Sequence, residues 1–267
     1  MEAPKLKLLV DLDSTLIHAI KDSADQLDSI PIHEDIFWLG KVKKIVKKRP
    51  HADKFLESMA KHYEMTVVTL GVKRYAKAIV NKLDPDHRYF GGRVISREEL
   101  GDRHSKTKKL EKLFPEGLSL TVIIDDRLDV WDYRDNVVQI KPYKYFKHNF
   151  VEDDSLEHME RVLLDVHKQF HDHFSATNEM ADMKEVVREY RAGVLQDMHA
   201  VLTGSTAKRK LLDFLNRYGA NVYYEMVDHA TIVVSNGYVP EAERRDIPVV
   251  DEAWVKDAIE QGKTFLF

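Results

Sequence analysis

Leu6-Lys7-Leu8-Leu9-Val10-Asp11-Leu12-Asp13-Ser14-Thr15-Leu16 is an apolar, β-prone run that ends in two carboxylates one residue apart. It presents both acids where a strand gives way to a loop. At the carboxyl end of a parallel strand, that is where open α/β sheets bind ligands. The design returns more than a hundred residues later, where Thr121-Val122-Ile123-Ile124 runs into Asp125-Asp126. Two such strand ends can gather four carboxylates, a cluster hard to keep without a divalent cation. The constellation points to an enzyme.

Outward from these two strands, short apolar runs alternate with helical periodicity up to about residue 150. Strands are expected over 6–10, 65–69, 93–96, 122–124 and 137–140, and helices over 53–62, 73–83 and 107–114. That alternation predicts an α/β fold, a Rossmann-like, doubly wound and mostly parallel sheet. Residues 21–40 read as irregular and acidic, and 41–49 as a basic stretch. From 151 to 194 the pattern changes to two amphipathic helices. The first carries Leu156, Met159, Val162, Leu163, Val166 and Phe170 at helical spacing, and the second covers 181–195. This pair is expected to be a connector. From 195 the pattern restarts: strand 199–202, helix 206–218 stopped by Gly219, strands 221–224, 230–234 and 248–250, and a closing helix capped by Asp251. The expected domains are therefore 1–150, a helical connector over 151–194, and a compact second domain over 195–267.

Composition narrows the function. With no cysteine, the chain has no disulfide, no Cys-ligated zinc and no cysteinyl-phosphate chemistry. A formal net charge of −4 gives no electrostatic sign of direct nucleic-acid binding. No apolar run is long enough for a membrane span and no secretory signal is expected at the charged start, so a soluble intracellular protein is expected. The histidines are scattered without a zinc-binding spacing.

A carboxylate can attack phosphorus and hold an aspartyl-phosphate until water removes it. Asp11, at the strand end, is the candidate nucleophile, and Asp13, two residues on, the acid and base for the leaving oxygen and the water. Mg²⁺ would offset the charge of carboxylate and phosphate, held by Asp11, Asp13, Asp126 and, directly or through water, Asp125. A hydroxyl donor and a cation should complete the site. Thr69, at the end of a strand and before a glycine turn, suits the first. Lys108, in a lysine-rich helix, suits the second.

With these residues assembled, the sequence resembles the haloacid-dehalogenase superfamily, and within it the FCP branch of protein phosphatases. The motifs run in order: DLDSTLIH from Asp11, VVTLG around Thr69, RVISREE from Arg93, Lys108 before LEKLFP, and VIIDDRLDVW ending at Trp131. Arg49-Pro50 is similar to the family's RPG motif with His51 in place of the glycine, and Ser14 stands where Gln or Glu is usual. The loop 101–106 is longer than usual, which leaves Lys106 as an alternative to Lys108. The second domain is similar to a BRCT domain, with Gly219 after its first helix and Trp254 in its last.

The resemblance implies an Mg²⁺-dependent phosphatase acting on the phosphorylated heptad-repeat tail of RNA polymerase II in the nucleus. Transcription factors are implied partners of the BRCT domain. Arg49, Arg97 and Thr15 are the candidate substrate-binding residues, Arg97 having a structural salt bridge as its alternative. Phe37 and Trp38 are candidates to contact a proline beside the phosphoserine, and the basic stretch before Arg49, Lys44 among it, is a candidate to steer the tail, with a solvent-facing strand as its alternative reading. Thr203-Gly204 matches half of a BRCT phosphopeptide motif, with no lysine for the other half, which favours protein docking. Trp131 and Trp254 are expected in the core. Two rivals remain: an idle phosphatase fold whose BRCT domain does the work, and a small-molecule phosphatase. The intact acids weigh against the first, and the roughly 20 residues left for a lid against the second.

Overall fold

Strand β1 (Leu6–Val10) is apolar at four of its five positions, and Leu6, Leu8, Leu9 and Val10 are fully buried. A near-continuous hydrophobic strand of this kind belongs in the middle of a parallel sheet covered on both faces. The computed structural model describes residues 3–22, 34–115, 117–147, 153–204 and 209–260. It divides the chain into two compact units, Met1–Lys184 and Glu185–Phe267.

In the first unit the chain leaves β1 into a three-stranded antiparallel sheet, β2 (Ile17–Lys21), β3 (Ile36–Leu39) and β4 (Lys44–Lys48), ordered β2-β4-β3. It then returns through helix α1 (Ala52–His62) to β5 (Tyr63–Val68) and through α2 (Lys73–Leu83) to β6 (Val94–Ile95). Two single-turn helices, α3 (Arg97–Leu100) and α4 (Leu110–Leu113), precede β7 (Thr121–Asp125) and β8 (Val137–Gln139). The five-stranded sheet is parallel throughout, ordered β6-β5-β1-β7-β8. Chain order reverses between β1 and β7. That switch point is where an open α/β sheet leaves a crevice at its carboxyl ends.

The long helix α5 (Ser155–Thr177) buries the six apolar residues that its sequence spacing marked out. It is no connector. It packs on α1 inside the first unit, and the Tyr63 hydroxyl donates to the Leu163 carbonyl at 2.7 Å. Strand β3 corrects the expectation that 21–40 is irregular, and the basic stretch holds a strand, β4, that is buried at its centre rather than solvent-facing. Ile45 and Val46 are buried while Lys41 and Lys43 stay exposed, so charged residues disguise a strand. The helix expected over 107–114 is only one turn long.

The second unit follows α6 (Met183–Val194), which crosses the boundary. Its parallel sheet is ordered β10-β9-β11-β12, from β9 (His199–Leu202), β10 (Asn221–Tyr223), β11 (Ile232–Val234) and β12 (Val249–Val250). Helices α7 (Arg209–Arg217), α8 (Pro240–Arg244) and α9 (Glu252–Glu260) accompany it. Helix α8 has no counterpart among the elements expected from sequence. The start of the helix expected over 206–218 and the end of the closing helix lie outside the described residues. Trp254 is 43% exposed rather than in the core, because α9 turns Val255 and Ile259 inward instead.

Gly219 is the tightest point of this unit. Its φ is +87°, and a Cβ there would lie 1.8 Å from the Ala192 carbonyl oxygen. Gly219→Ala is expected to destabilise the protein by about 2–3 kcal/mol in urea denaturation followed by circular dichroism. Gly237→Ala, which meets nothing within 4 Å, is expected to change stability by less than about 0.5 kcal/mol.

Candidate active site

Parallel pairing of β1 with β7 in the register Val10↔Ile124 puts Asp11 beside Asp125, and the Asp11 amide donates to the Ile124 carbonyl at 3.1 Å. Lys106 enters from the loop before α4, tied by its own amide to the Val130 carbonyl at 2.8 Å. Its ammonium lies 2.5 Å from Asp11 Oδ1 and 2.5 Å from Asp125 Oδ2. All three side chains are buried. Asp125 also accepts from Trp131 Nε1 at 2.7 Å and from the Arg127 amide at 2.9 Å, so each of its oxygens has a donor.

Around this core the remaining groups line one cavity of about 440 Å³, among them Asp13, Thr69, Tyr75, Arg97 and Asp126. Asp13 accepts from the Tyr75 hydroxyl at 2.6 Å. Thr69 Oγ1 accepts from the Gly71 amide at 3.0 Å, which leaves its own proton free to donate into the cavity. Gly71 has to be small: a Cβ there would lie 2.8 Å from the Tyr75 ring.

Electrostatics follow from burial. Burial lifts the Asp11 carboxyl well above its ordinary value, against the opposing pull of Lys106. Burial likewise raises Asp13, against the Tyr75 hydrogen bond. Burial first and the Asp125 charge second push Asp126 up to about 6. Burial opposes the Lys106 charge, but Asp11 and Asp125 outweigh it and raise the ammonium. Asp11, Asp125 and Asp126 offer carboxylate oxygens within 4.8 Å of one another, a donor set suited to a small hard cation.

Of the candidates from sequence, Asp11, Asp13, Thr69, Arg97, Asp125 and Asp126 all reach this cavity. Lys108 does not. Its side chain is 65% exposed and pairs with Asp102, whereas Lys106 occupies the position between the acids. Arg49 and Thr15 are fully buried and out of reach of any substrate. Arg49 grips Asp153 with Nε at 2.9 Å and Nη2 at 3.0 Å, and donates to the carbonyls of Thr15 at 3.0 Å and Lys141 at 2.8 Å. It thereby ties the loop after β1 to the start of α5. Tyr75, Arg74 and the hydrogen bond of Trp131 were not foreseen, and Lys44 was read only as part of the basic stretch expected to steer the tail. Tyr75 and Arg74 carried one usable signal, their place in the first turn of a helix that follows the Thr69 strand end.

A family model described as NLI interacting factor-like phosphatase matches residues 6–174. The chain belongs to this phosphatase family. It is 36% identical over 292 residues to a Caenorhabditis elegans phosphatase named for the C-terminal domain of RNA polymerase II, covering 96% of this chain and 44% of that protein. The human protein of the same name is 43% identical over 145 residues, covering 54% of this chain and 15% of that protein. The chain thus spans less than half the length of either relative. A solved structure of Fcp1, described as an essential RNA polymerase II CTD phosphatase, superposes with a TM-score of 0.73 at 22% identity, covering 98% of this chain and 94% of that one. At that identity the likeness is one of fold, and the fold is haloacid-dehalogenase-like.

The second unit has a cavity of about 530 Å³ lined by Thr203, Gly204, Ser235, Asn236, Gly237 and Tyr238, among others. No lysine or arginine stands among its described lining residues. No helix among the described residues is long and apolar enough to cross a membrane.

The placement of the arginines separates a structural role from a substrate role. Arg49→Met removes a fully buried guanidinium, leaving the partly buried Asp153 and the Thr15 and Lys141 carbonyls without its donors, and is expected to cost about 3–5 kcal/mol in urea denaturation. Arg97→Met gives up a single bond to the Leu70 carbonyl and is expected to cost under about 1 kcal/mol.

Proposed function

We propose that this chain is a magnesium-dependent protein serine phosphatase that acts on the phosphorylated C-terminal tail of RNA polymerase II through an aspartyl-phosphate on Asp11. The observation that carries the reading is the Lys106 ammonium between Asp11 and Asp125 at neighbouring parallel strand ends. Membership in the phosphatase family and the names of its relatives support the substrate.

The three clustered carboxylates fit magnesium, and Asp11, Asp125, Asp126 and the main-chain carbonyl of Asp13 would hold it. When bound, the ion offsets the charge of an anionic nucleophile approaching an anionic phosphate. Everything else falls to the chain's own groups. Lys106 pairs with the Asp11 oxygen and draws the carboxyl toward its anionic form, against the burial that raises it. That oxygen forms a bond to phosphorus while the bond from phosphorus to the serine oxygen breaks. Asp13, whose carboxyl burial raises toward its protonated form and whose Oδ1 is oriented by the Tyr75 hydroxyl, gives its proton to the departing oxygen. It then takes a proton from the water that attacks phosphorus, and the bond to Asp11 breaks. Thr69 and Arg97 donate to the phosphate oxygens throughout.

The second unit we read as a BRCT domain that docks a transcription factor, with its four-stranded parallel sheet, flanking helices and Gly219 in support. The domain boundary then falls near residue 185, after α5. Nuclear residence follows from the substrate.

The test is phosphate release from a phosphorylated heptad-repeat peptide in the presence of magnesium. Asp11→Asn and Lys106→Met are each expected to lose at least about 10²–10³-fold in kcat, and Lys108→Met to stay within about threefold. Retained activity in Asp11→Asn contradicts the reading. No release by the native protein at any magnesium level favours an idle scaffold.

A further inference from the structure

After the catalytic groups have found their partners, cations are left over on the rim of the cleft. Lys106 is engaged by Asp11 and Asp125, and Arg127 by Asp129. Lys44, the first residue of β4, and Arg74, in the first turn of α2, also line the cavity. Neither side chain makes a hydrogen bond or ion pair with any other residue among those described, and Lys44 acts on Asp13 only through its charge across the cavity. Their neighbours behave differently. Lys47 pairs with Asp35, Lys48 with Asp35 and Asp53, and Arg49 with Asp153. Lys41 and Lys43 are exposed to solvent and do not line the cavity, Arg74 is exposed at its rim, and Lys44 is half-buried in the wall of the cleft. An unpaired ammonium with part of its hydration removed is unfavourable unless an anion arrives there.

The transferred phosphate does not need these two groups. It carries between about −1.5 and −2 charges, and Thr69, Lys106 and Arg97 already face it together with the metal-binding acids. Arg97 has its Nε committed to the Leu70 carbonyl at 2.7 Å, which fixes the guanidinium with its two terminal nitrogens free. We infer that Lys44 and Arg74 form a second anion subsite beside the catalytic one, so that the preferred substrate is a peptide bearing two phosphates. The inference rests on the phosphatase reading above. Lys44 and Arg74 line the same cavity as Asp11 and Thr69, so the second phosphate lies close to the first in the bound peptide.

Fluorescence anisotropy tests this on the native protein in excess EDTA, where binding is read without turnover. Two labelled peptides of one sequence carry either a single phosphoserine or two phosphoserines three residues apart. The doubly phosphorylated peptide is expected to bind about tenfold tighter. That preference is expected to shrink below about threefold in Lys44→Gln/Arg74→Gln and to persist in Lys41→Gln/Lys43→Gln, which removes the same charge from positions that do not line the cavity. Circular dichroism checks that each variant is folded. Equal affinity for the two peptides overturns the inference. So does a preference that survives Lys44→Gln/Arg74→Gln, or one lost equally in Lys41→Gln/Lys43→Gln. Turnover of the same peptides in magnesium reports separately on the phosphatase reading: binding preference without turnover sinks that reading and leaves the subsite standing.

Discussion

The site depends on one buried ammonium. Asp11 and Asp125 stand at the ends of hydrogen-bonded parallel strands, so the sheet brings two carboxylates together whatever their charge. Two such charges about 4 Å apart repel by about 4 kcal/mol at an effective dielectric of 20, and burial adds to the difficulty. Lys106 resolves it by touching both. The arrangement is one in which each member needs the others: without the acids the buried lysine would lose its charge, and without the lysine the nucleophile would lose its own. Preorganised charge of this kind is the form catalysis takes when the reacting groups are all anionic.

The scaffold explains how a flexible lysine is held to that position. Its backbone is bound to Val130, the next residue is the Trp131 whose indole holds Asp125, and the whole corner packs in a cluster with Leu100, Leu110 and Phe114. On the other side, Arg49 fixes the turn after Asp13 from below, through carbonyls rather than through ligand contact. Positioning and chemistry are thus divided among neighbouring residues of the same motifs: buried members such as Arg49 and Thr15 build the loop, and Asp11, Asp13 and Thr69 face the cavity.

Strands β1, β7 and β9 were legible in sequence because a fully buried parallel strand is a short apolar run with little else in it. Helices α1, α2 and α5 were legible through their periodicity, to within one or two residues at most ends. The β2-β4-β3 sheet was only partly legible, because in β4 three lysines flank just two apolar residues, Ile45 and Val46, which suggests at most a solvent-facing strand, and one of those lysines, Lys47, is itself buried against Asp35. In the site, the acids and Thr69 could be read from strand-end positions. Lys106 and Lys108 could not be separated that way. They lie on opposite sides of one turn, and only the packing of the loop on Val130 decides which of them points inward. Arg49 was misassigned for a related reason: an arginine beside catalytic motifs looks like a phosphate ligand until its partner, 104 residues away, is known.

The central claim is that the Asp11 oxygen, paired with Lys106, becomes the phosphorylated atom. Borohydride reduces an acyl phosphate to an alcohol, which would convert a phosphorylated Asp11 to homoserine. The direct measurement is to quench the native protein during turnover of a phosphopeptide, reduce it, and locate the modified residue by peptide mass spectrometry. The account predicts homoserine at position 11, and none in a sample quenched without substrate. Homoserine at position 13, 125 or 126 instead, or turnover with no reducible residue at all, would contradict it.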